Sequence, residues 1–297
     1  MAKNYAVQYS KELANAYGYV LNFGQLWNTE NSERYKVINA KTIQIPNLTV
    51  GGRVSGNRDT IGSFSRNWNN GWETKELTNE RSWETLVHPN DIDQTNTVAS
   101  IKNITKVMNE EEKFPEMDAY LISTVYKLKN TLEPIETKAA TAVTQSNVLT
   151  YFDELMDKMD EANVPAHGRI LYVDTFTKTL IDNAREVYRQ SGNSKVTRNV
   201  TKIDEVTIVS VPSNLMKTSY NFDVGYTVAE DAKQVKMFLV HPSAVLPVAS
   251  YSFAQLDEPS ATSKGKYVYY EESHEDVFLL NKKHNGVQML VCEVATA

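Results

Sequence analysis

Cysteine is nearly missing from this sequence. Its 297 residues contain one, Cys292, so no disulfide can form within the chain and packing and hydrogen bonding must hold the fold. That usage fits folding in a reducing cytoplasm. There is no run of about eighteen apolar residues, the length a membrane-spanning helix needs. The opening MAKNYAVQYSKELANAYGYV has no apolar stretch leading to a small-residue cleavage site and does not read as a secretory signal. A basic surplus is missing too: 31 Lys and Arg against 37 Asp and Glu give a net charge of −6. This argues against a dedicated, high-affinity nucleic-acid binder, though not against a wall that encloses nucleic acid without gripping it. The usual catalytic strings GxSxG, HExxH and CxxC do not occur, and GNRDTIG matches neither phosphate-binding glycine pattern. Five histidines, at 88, 167, 241, 274 and 284, show no metal-ligand spacing. Catalytic groups can converge from distant segments, so an enzyme is not excluded; it is left without a positive feature.

Aromatics are plentiful, with 16 Tyr, 9 Phe and 4 Trp. Most must fill cores, but such residues are also enriched in protein–protein contacts. Tyr5, Tyr9, Leu13, Ala16, Tyr17 and Val20 recur at helical spacing and predict an amphipathic helix over residues 4–21. A terminal helix needs a surface to dock on, its own domain or a neighbouring subunit. From Ile43 to Val87 the character changes to GGRVSGNRDTIGSFSRNWNNGWETKELTNERSWETLVHP after a short alternating strand. TIGSF, NWNNGWET and RSWETLV each have strand character, and Asn70-Gly71 is the clearest hairpin-turn dipeptide. The stretch reads as a long two-stranded excursion with too few aliphatics to own a core. A bare hairpin is marginal in water, so Phe64, Trp68 and Trp72 predict that it lies on another surface.

Helical periodicity returns at 95–111 with Val98, Ile101, Thr105 and Met108, and again from Pro115 to Lys129 with Met117, Tyr120, Leu121, Thr124, Val125 and Leu128. Pro115 either starts the second helix or kinks a longer one. Val148, Phe152, Leu155 and Met159 predict a helix ending near Asn163. RILYV is then a strand, Asp174 or Thr175 caps a helix carrying Leu180, Ile181, Ala184 and Tyr188, and Val206–Val211 is a further strand. The end is strand-rich: VKMFLV, KYVYY, DVFLL and GVQMLVCEV, with HPSAVLPVAS a short helix or turn. Residues 145–225 read as an α/β or α+β unit, and its insertion in a discontinuous domain is the economical arrangement.

The polar clusters read as local structure. His274, with Glu271, Glu272, Glu275 and Asp276, falls in YEESHEDV, expected to be a solvated acidic turn between strands rather than a cation or acid–base site. Asp91 and Asp93 precede or open a helix and suit capping better than cation binding, since a twelve-residue calcium loop is missing. Arg185, Arg189, Lys195, Arg198 and Lys202 form a basic stretch that suits either nucleic acid or a salt-bridging rim. Cys292 reads as a small buried hydrophobe.

Four segments in order carry a resemblance: NGWETKELTNERSWETLVHPNDIDQTN, FPEMDAYLISTVYKL, NVLTYFDELMDKMDEANVPAHGRILYVDTFTKTLIDNA, and KIDEVTIVSVPSNLM followed by the strand-rich end. Together the chain resembles the major capsid proteins of tailed double-stranded DNA bacteriophages with the HK97-type fold. The resemblance implies an α+β fold with an N-terminal arm (1–42), an extended β-hairpin E-loop with flanking strands (43–87), a peripheral domain (88–144 and 226–297) with a spine helix at about 115–129, and an axial domain (145–225). It implies a structural subunit rather than an enzyme, one needing no cofactor or metal and no membrane. Hexamers and pentamers would form an icosahedral virion shell around double-stranded DNA, after synthesis in the bacterial host cytoplasm. A separate scaffolding protein and a portal are implied partners, and some shells add a decoration protein. Tyr5, Tyr9, Tyr17, Phe64, Trp68, Trp72, Lys75 and Arg81 are the candidate intersubunit contacts.

Two departures qualify that picture. The short stretch before Ile43 predicts no long scaffolding-like segment within the chain. Some relatives join a loop lysine to a peripheral-domain asparagine, but no pairing of Lys75 with Asn281 or Asn285, nor an activating acid, is evident in the sequence. Non-covalent maturation is therefore expected. The competing readings are an encapsulin-like nanocompartment shell, a phage tail component forming rings or tubes, and a soluble α/β enzyme with a concave site.

Overall fold

The computed structural model of the protein describes residues 20–29, 31, 35–39, 41–53, 66–95, 100–188, 202–203 and 205–294. The expected N-terminal helix, with Tyr5, Tyr9 and Tyr17, lies outside them, as do Phe64 and the tip of the excursion.

The first described element is a single helical turn, α1 (Gly24–Trp27). It leads to β1 (Lys36–Asn39) and β2 (Thr42–Val50). The return strand β3 (Trp68–Glu76) pairs antiparallel with β2, from Thr42 opposite Glu76 to Val50 opposite Trp68. The excursion is therefore present, with β1 pairing antiparallel to the start of β2 as a third strand at its base, but Asn70-Gly71 is not its turn. Both residues lie inside β3, opposite Leu48 and Asn47. The extended partner strand determines the backbone there, and Gly71 leaves one pair without a side chain.

After β4 (Glu80–Val87) and α2 (Pro89–Gln94) come α3 (Ile101–Met108), a π-helical turn over Asn109–Lys113, and α4 (Phe114–Leu132). Pro115 sits in the first turn of α4, the first of the two expected roles, and α4 follows the π turn without a break. The proline has no N–H to give the preceding turn, and the ladder widens into the π turn before continuing. The imidazole of His88, not Asp91 or Asp93, accepts the Asn90 N–H at the start of α2, at 3.1 Å.

A six-stranded sheet forms the centre. It comprises β5 (Thr137–Lys138), β6 (Ile170–Asp174), β7 (Lys202–Ile203), β8 (Val206–Val211), β11 (Gln234–Val240) and β14 (Val287–Cys292), in the order β5-β14-β11-β6-β8-β7. The short strands β9 (Tyr220–Asn221) and β10 (Thr227–Val228) pair beside it. Strand alternation separates two cores. Tyr172, Phe238, Val240, Met289 and Val291 face α4, contacting Ala119, Leu121, Ile122 and Val125. Leu171, Val173, Met237, Leu239, Leu290 and Cys292 face α5 (Val148–Glu161) and α6 (Thr175–Tyr188), contacting Phe152, Leu155, Met159 and Ile181. The Asp174 carboxylate accepts the Thr177 N–H at 2.9 Å, the cap expected at the start of α6.

The sheet takes in Gln234–Val240 and Val287–Cys292, which lie outside the 145–225 span, hydrogen-bonded beside Ile170–Asp174. The aromatic centre of the first core is Phe23, Tyr172 and Phe238. The Phe23 ring lies 4.7 Å from Tyr172 and 6.1 Å from Phe238. Burial pushes the Tyr172 phenol pKa upward, with the Asp118 charge adding to the effect. Its hydroxyl is buried without a hydrogen-bond partner among the described residues. A buried donor left unpaired is unfavourable, so Tyr172→Phe is expected to leave stability unchanged or raise it by up to about 1 kcal/mol. Urea denaturation checks this; a loss of several kcal/mol would show that the hydroxyl is bonded.

A second, three-stranded sheet has the order β12-β13-β4, where β12 is Val245–Asp257 and β13 is Tyr267–Leu279. Here two sequence expectations fail. KYVYY and DVFLL are one continuous strand, so YEESHEDV is not a turn but its middle, paired on both sides. β12 runs through Pro247, which the edge position tolerates. Among the described residues, no helix is long and apolar enough to cross a membrane.

Candidate intersubunit surfaces

The register of the β2–β3 hairpin puts Pro46, Leu48 and Val50 on the same face as Trp72, Asn70 and Trp68. This face is uncovered: Leu48 is 59% exposed, Val50 70%, Trp68 51% and Trp72 54%. The Arg66 guanidinium lies 4.0 Å over the Trp68 ring, which holds the indole but leaves it open. The sequence pointed to the tryptophans and passed over Leu48 and Val50. Their alternation in IQIPNLTV was the available signal, interrupted by Pro46.

At its base the arm is fastened to its own chain. Ile43 is fully buried in a small cluster with Leu77, Leu246, Val248 and Phe278. The Lys282 ammonium donates to the Leu48 carbonyl at 3.0 Å, and the Asn281 amide donates to Glu73 at 2.8 Å. Lys75 pairs with the same Glu73 oxygen, at 2.7 Å. Lys75 thus sits at the arm's root beside Asn281, through a shared carboxylate.

Where the chain leaves the arm, Asp276 accepts the Thr78 N–H at 2.9 Å and the Tyr120 hydroxyl at 2.8 Å, tying the root to α4. Arg81 is engaged within its own chain. It contacts Glu116 at 2.6 Å and donates to the Phe222 carbonyl at 2.6 Å. Burial raises the Glu116 carboxyl pKa above its ordinary value, and Arg81 opposes that rise. Of the eight candidate contact residues, the structure brings Trp68 and Trp72 onto one open face and places Lys75 and Arg81 in intrachain contacts at the root. Tyr5, Tyr9, Tyr17 and Phe64 lie outside the described residues.

Along the outer half of β12, Tyr251 and Phe253 on one face and Leu256 on the other are also exposed, and the sequence reading missed them. Of the basic stretch, Arg189, Lys195, Arg198 and the Arg185 side chain lie outside the described residues. Cys292 is buried as expected, and burial raises its thiol pKa.

A fastened, coreless hairpin, a long helix against one face of a central sheet, two helices on the other face and a separate three-stranded sheet together define the HK97-type capsid fold. Structural comparison supports this over almost the whole chain. A chain of the mature capsid of bacteriophage PhiM1 superposes with a TM-score of 0.66 at 9% identity, covering 98% of this chain and 92% of that one. The capsid of cyanophage P-SCSP1u gives 0.64 at 13%, covering 99% and 94%. The head of Helicobacter pylori bacteriophage KHP40 gives 0.61 at 11%, covering 98% and 95%. No family model matches the sequence, and no curated protein matches it.

Proposed function

We propose that this chain is the major capsid subunit of a tailed, double-stranded DNA phage, assembling as hexamers and pentamers into an icosahedral head. The observation that carries this reading is the open face of the β2–β3 arm, four large apolar side chains left exposed with no covering surface among the described residues. Isolated surface hydrophobics are ordinary, but a contiguous strip on a projecting hairpin calls for a partner. In a shell built from one chain that partner is a neighbouring copy, through a heterologous contact that closes into rings. Fold-level likeness to phage capsid chains supports the same reading.

In this reading the six-stranded sheet with α5 and α6 forms the axial part, including Gln234–Val240 and Val287–Cys292 rather than 145–225 alone. The three-stranded sheet and α4 form the peripheral part. Trp68, Trp72 and the N-terminal tyrosines contact neighbouring subunits, whereas Lys75 and Arg81 hold the arm's root. A scaffolding protein and a portal take part in assembly, and maturation is non-covalent. The wall encloses DNA without sequence-specific contacts, consistent with the net charge of −6.

Sedimentation velocity of the purified chain, alone and with its neighbouring gene product, tests the proposal. Capsomer-sized or shell-sized species are expected. Covalent ladders surviving denaturing electrophoresis would overturn the non-covalent part alone.

A further inference from the structure

His274, expected in a solvated turn, is 4% exposed in the middle of β13. It stands directly opposite Glu80 on β4, and Glu272 precedes it by two residues on β13. The strand period puts all three side chains on one face, and one ligand atom from each lies within 4.8 Å of the others. The His274 Nε2 is 3.4 Å from Glu80 Oε2. Even so, both ring nitrogens are buried without a hydrogen-bond partner among the described residues. An imidazole in that state is costly unless something else satisfies it.

We propose that Glu80, Glu272 and His274 bind one divalent transition-metal ion of the zinc type. One imidazole and two carboxylates suit zinc or manganese better than calcium or magnesium, which favour all-oxygen sets. The surroundings orient the donors as outer partners of metal ligands do. The Tyr270 hydroxyl donates to Glu272 Oε2 at 2.7 Å, and the Tyr251 ring packs edge-on against His274 at 5.5 Å. The cation now beside Glu80 is Lys41, with its ammonium 2.6 Å from Oε2 and its side chain 60% exposed. An arriving ion displaces this flexible ammonium into water, and water completes the coordination. The ion then clips β4 to β13 where the arm meets the three-stranded sheet. This inference rests on the local geometry and is independent of the shell reading.

The test is titration of the purified full chain with Zn2+ by calorimetry, and with Co2+ by visible absorption. About one ion per chain is expected, with an imidazole-containing Co2+ spectrum. Glu80→Gln, Glu272→Gln and His274→Gln should each weaken binding at least about tenfold. Lys41→Ala should tighten it by removing the competing cation, and His284→Gln, at a half-buried histidine outside the cluster, should leave it unchanged. If His274→Gln misfolds, the exposed Glu80 and Lys41 positions still decide the matter. No binding by the wild type, or equal affinity in the wild type and Glu80→Gln, would overturn the proposal.

Discussion

Replacing Trp68 and Trp72 together with serine is expected to abolish assembly while leaving the subunit folded. Both indoles are more than half exposed on the open face of the arm, so, apart from the Arg66 stacking on Trp68, their loss should change subunit stability by no more than about 0.5 kcal/mol. The Arg66 stacking on Trp68 adds about 0.5–1 kcal/mol at such an exposed site. At an interface, however, a buried tryptophan anchor commonly contributes about 2 kcal/mol or more. Two anchors per subunit, repeated around every ring, weaken a multivalent assembly far more than any single contact. Shell yield should fall by at least about a hundredfold on this arithmetic. Circular dichroism with sedimentation velocity separates the two effects. A variant that assembles as well as the wild type would mean the arm's open face contacts no neighbour.

Phe23→Ala is expected to cost about 3–5 kcal/mol of subunit stability, the range for emptying an aromatic site in a core. Phe23 is fully buried against Tyr172 and Phe238. The segment around it is also pinned by polar bonds. The buried Asp118 carboxylate accepts the Asn22 N–H at 2.8 Å and the Phe23 N–H at 3.2 Å. Asp118 belongs to α4 and the aromatic partners belong to the central sheet, so residues 22–27 fasten the start of the described chain to both. Guanidinium denaturation of the unassembled subunit reads the loss. A cost below about 1 kcal/mol would show that this segment is not docked.

The sequence revealed those parts of the fold whose physics is local. α4, α5 and α6 follow from apolar stripes at helical spacing, and β6, β8, β11 and β14 from short runs rich in β-branched and aliphatic residues. The Asp174 cap was equally plain. What stayed hidden depends on partners distant in the chain. β13 could not be read as continuous because Glu271, Glu272, His274, Glu275 and Asp276 look like a turn until β12 and β4 flank them. Pro247 concealed β12, although Tyr251 and Phe253 alternate with serines beyond it. Asn70-Gly71 has turn chemistry, yet the register with Thr42–Val50 holds it extended. Likewise, the inclusion of Gln234–Val240 and Val287–Cys292 in the central sheet rests on long-range pairing that periodicity does not encode. The open face of the arm was half legible: Trp68 and Trp72 drew attention through residue type, whereas the alternation that carries Leu48 and Val50 is interrupted by Pro46 and the register was needed to place them.

Electron microscopy of particles formed by the purified chain, reconstructed to a resolution that traces the backbone, tests the central claim most directly. The account predicts closed icosahedral shells in which the β2–β3 arm crosses onto an adjacent subunit and buries Trp68 and Trp72. A uniform population of monomers or dimers, or an arm folded back over its own subunit, would contradict it.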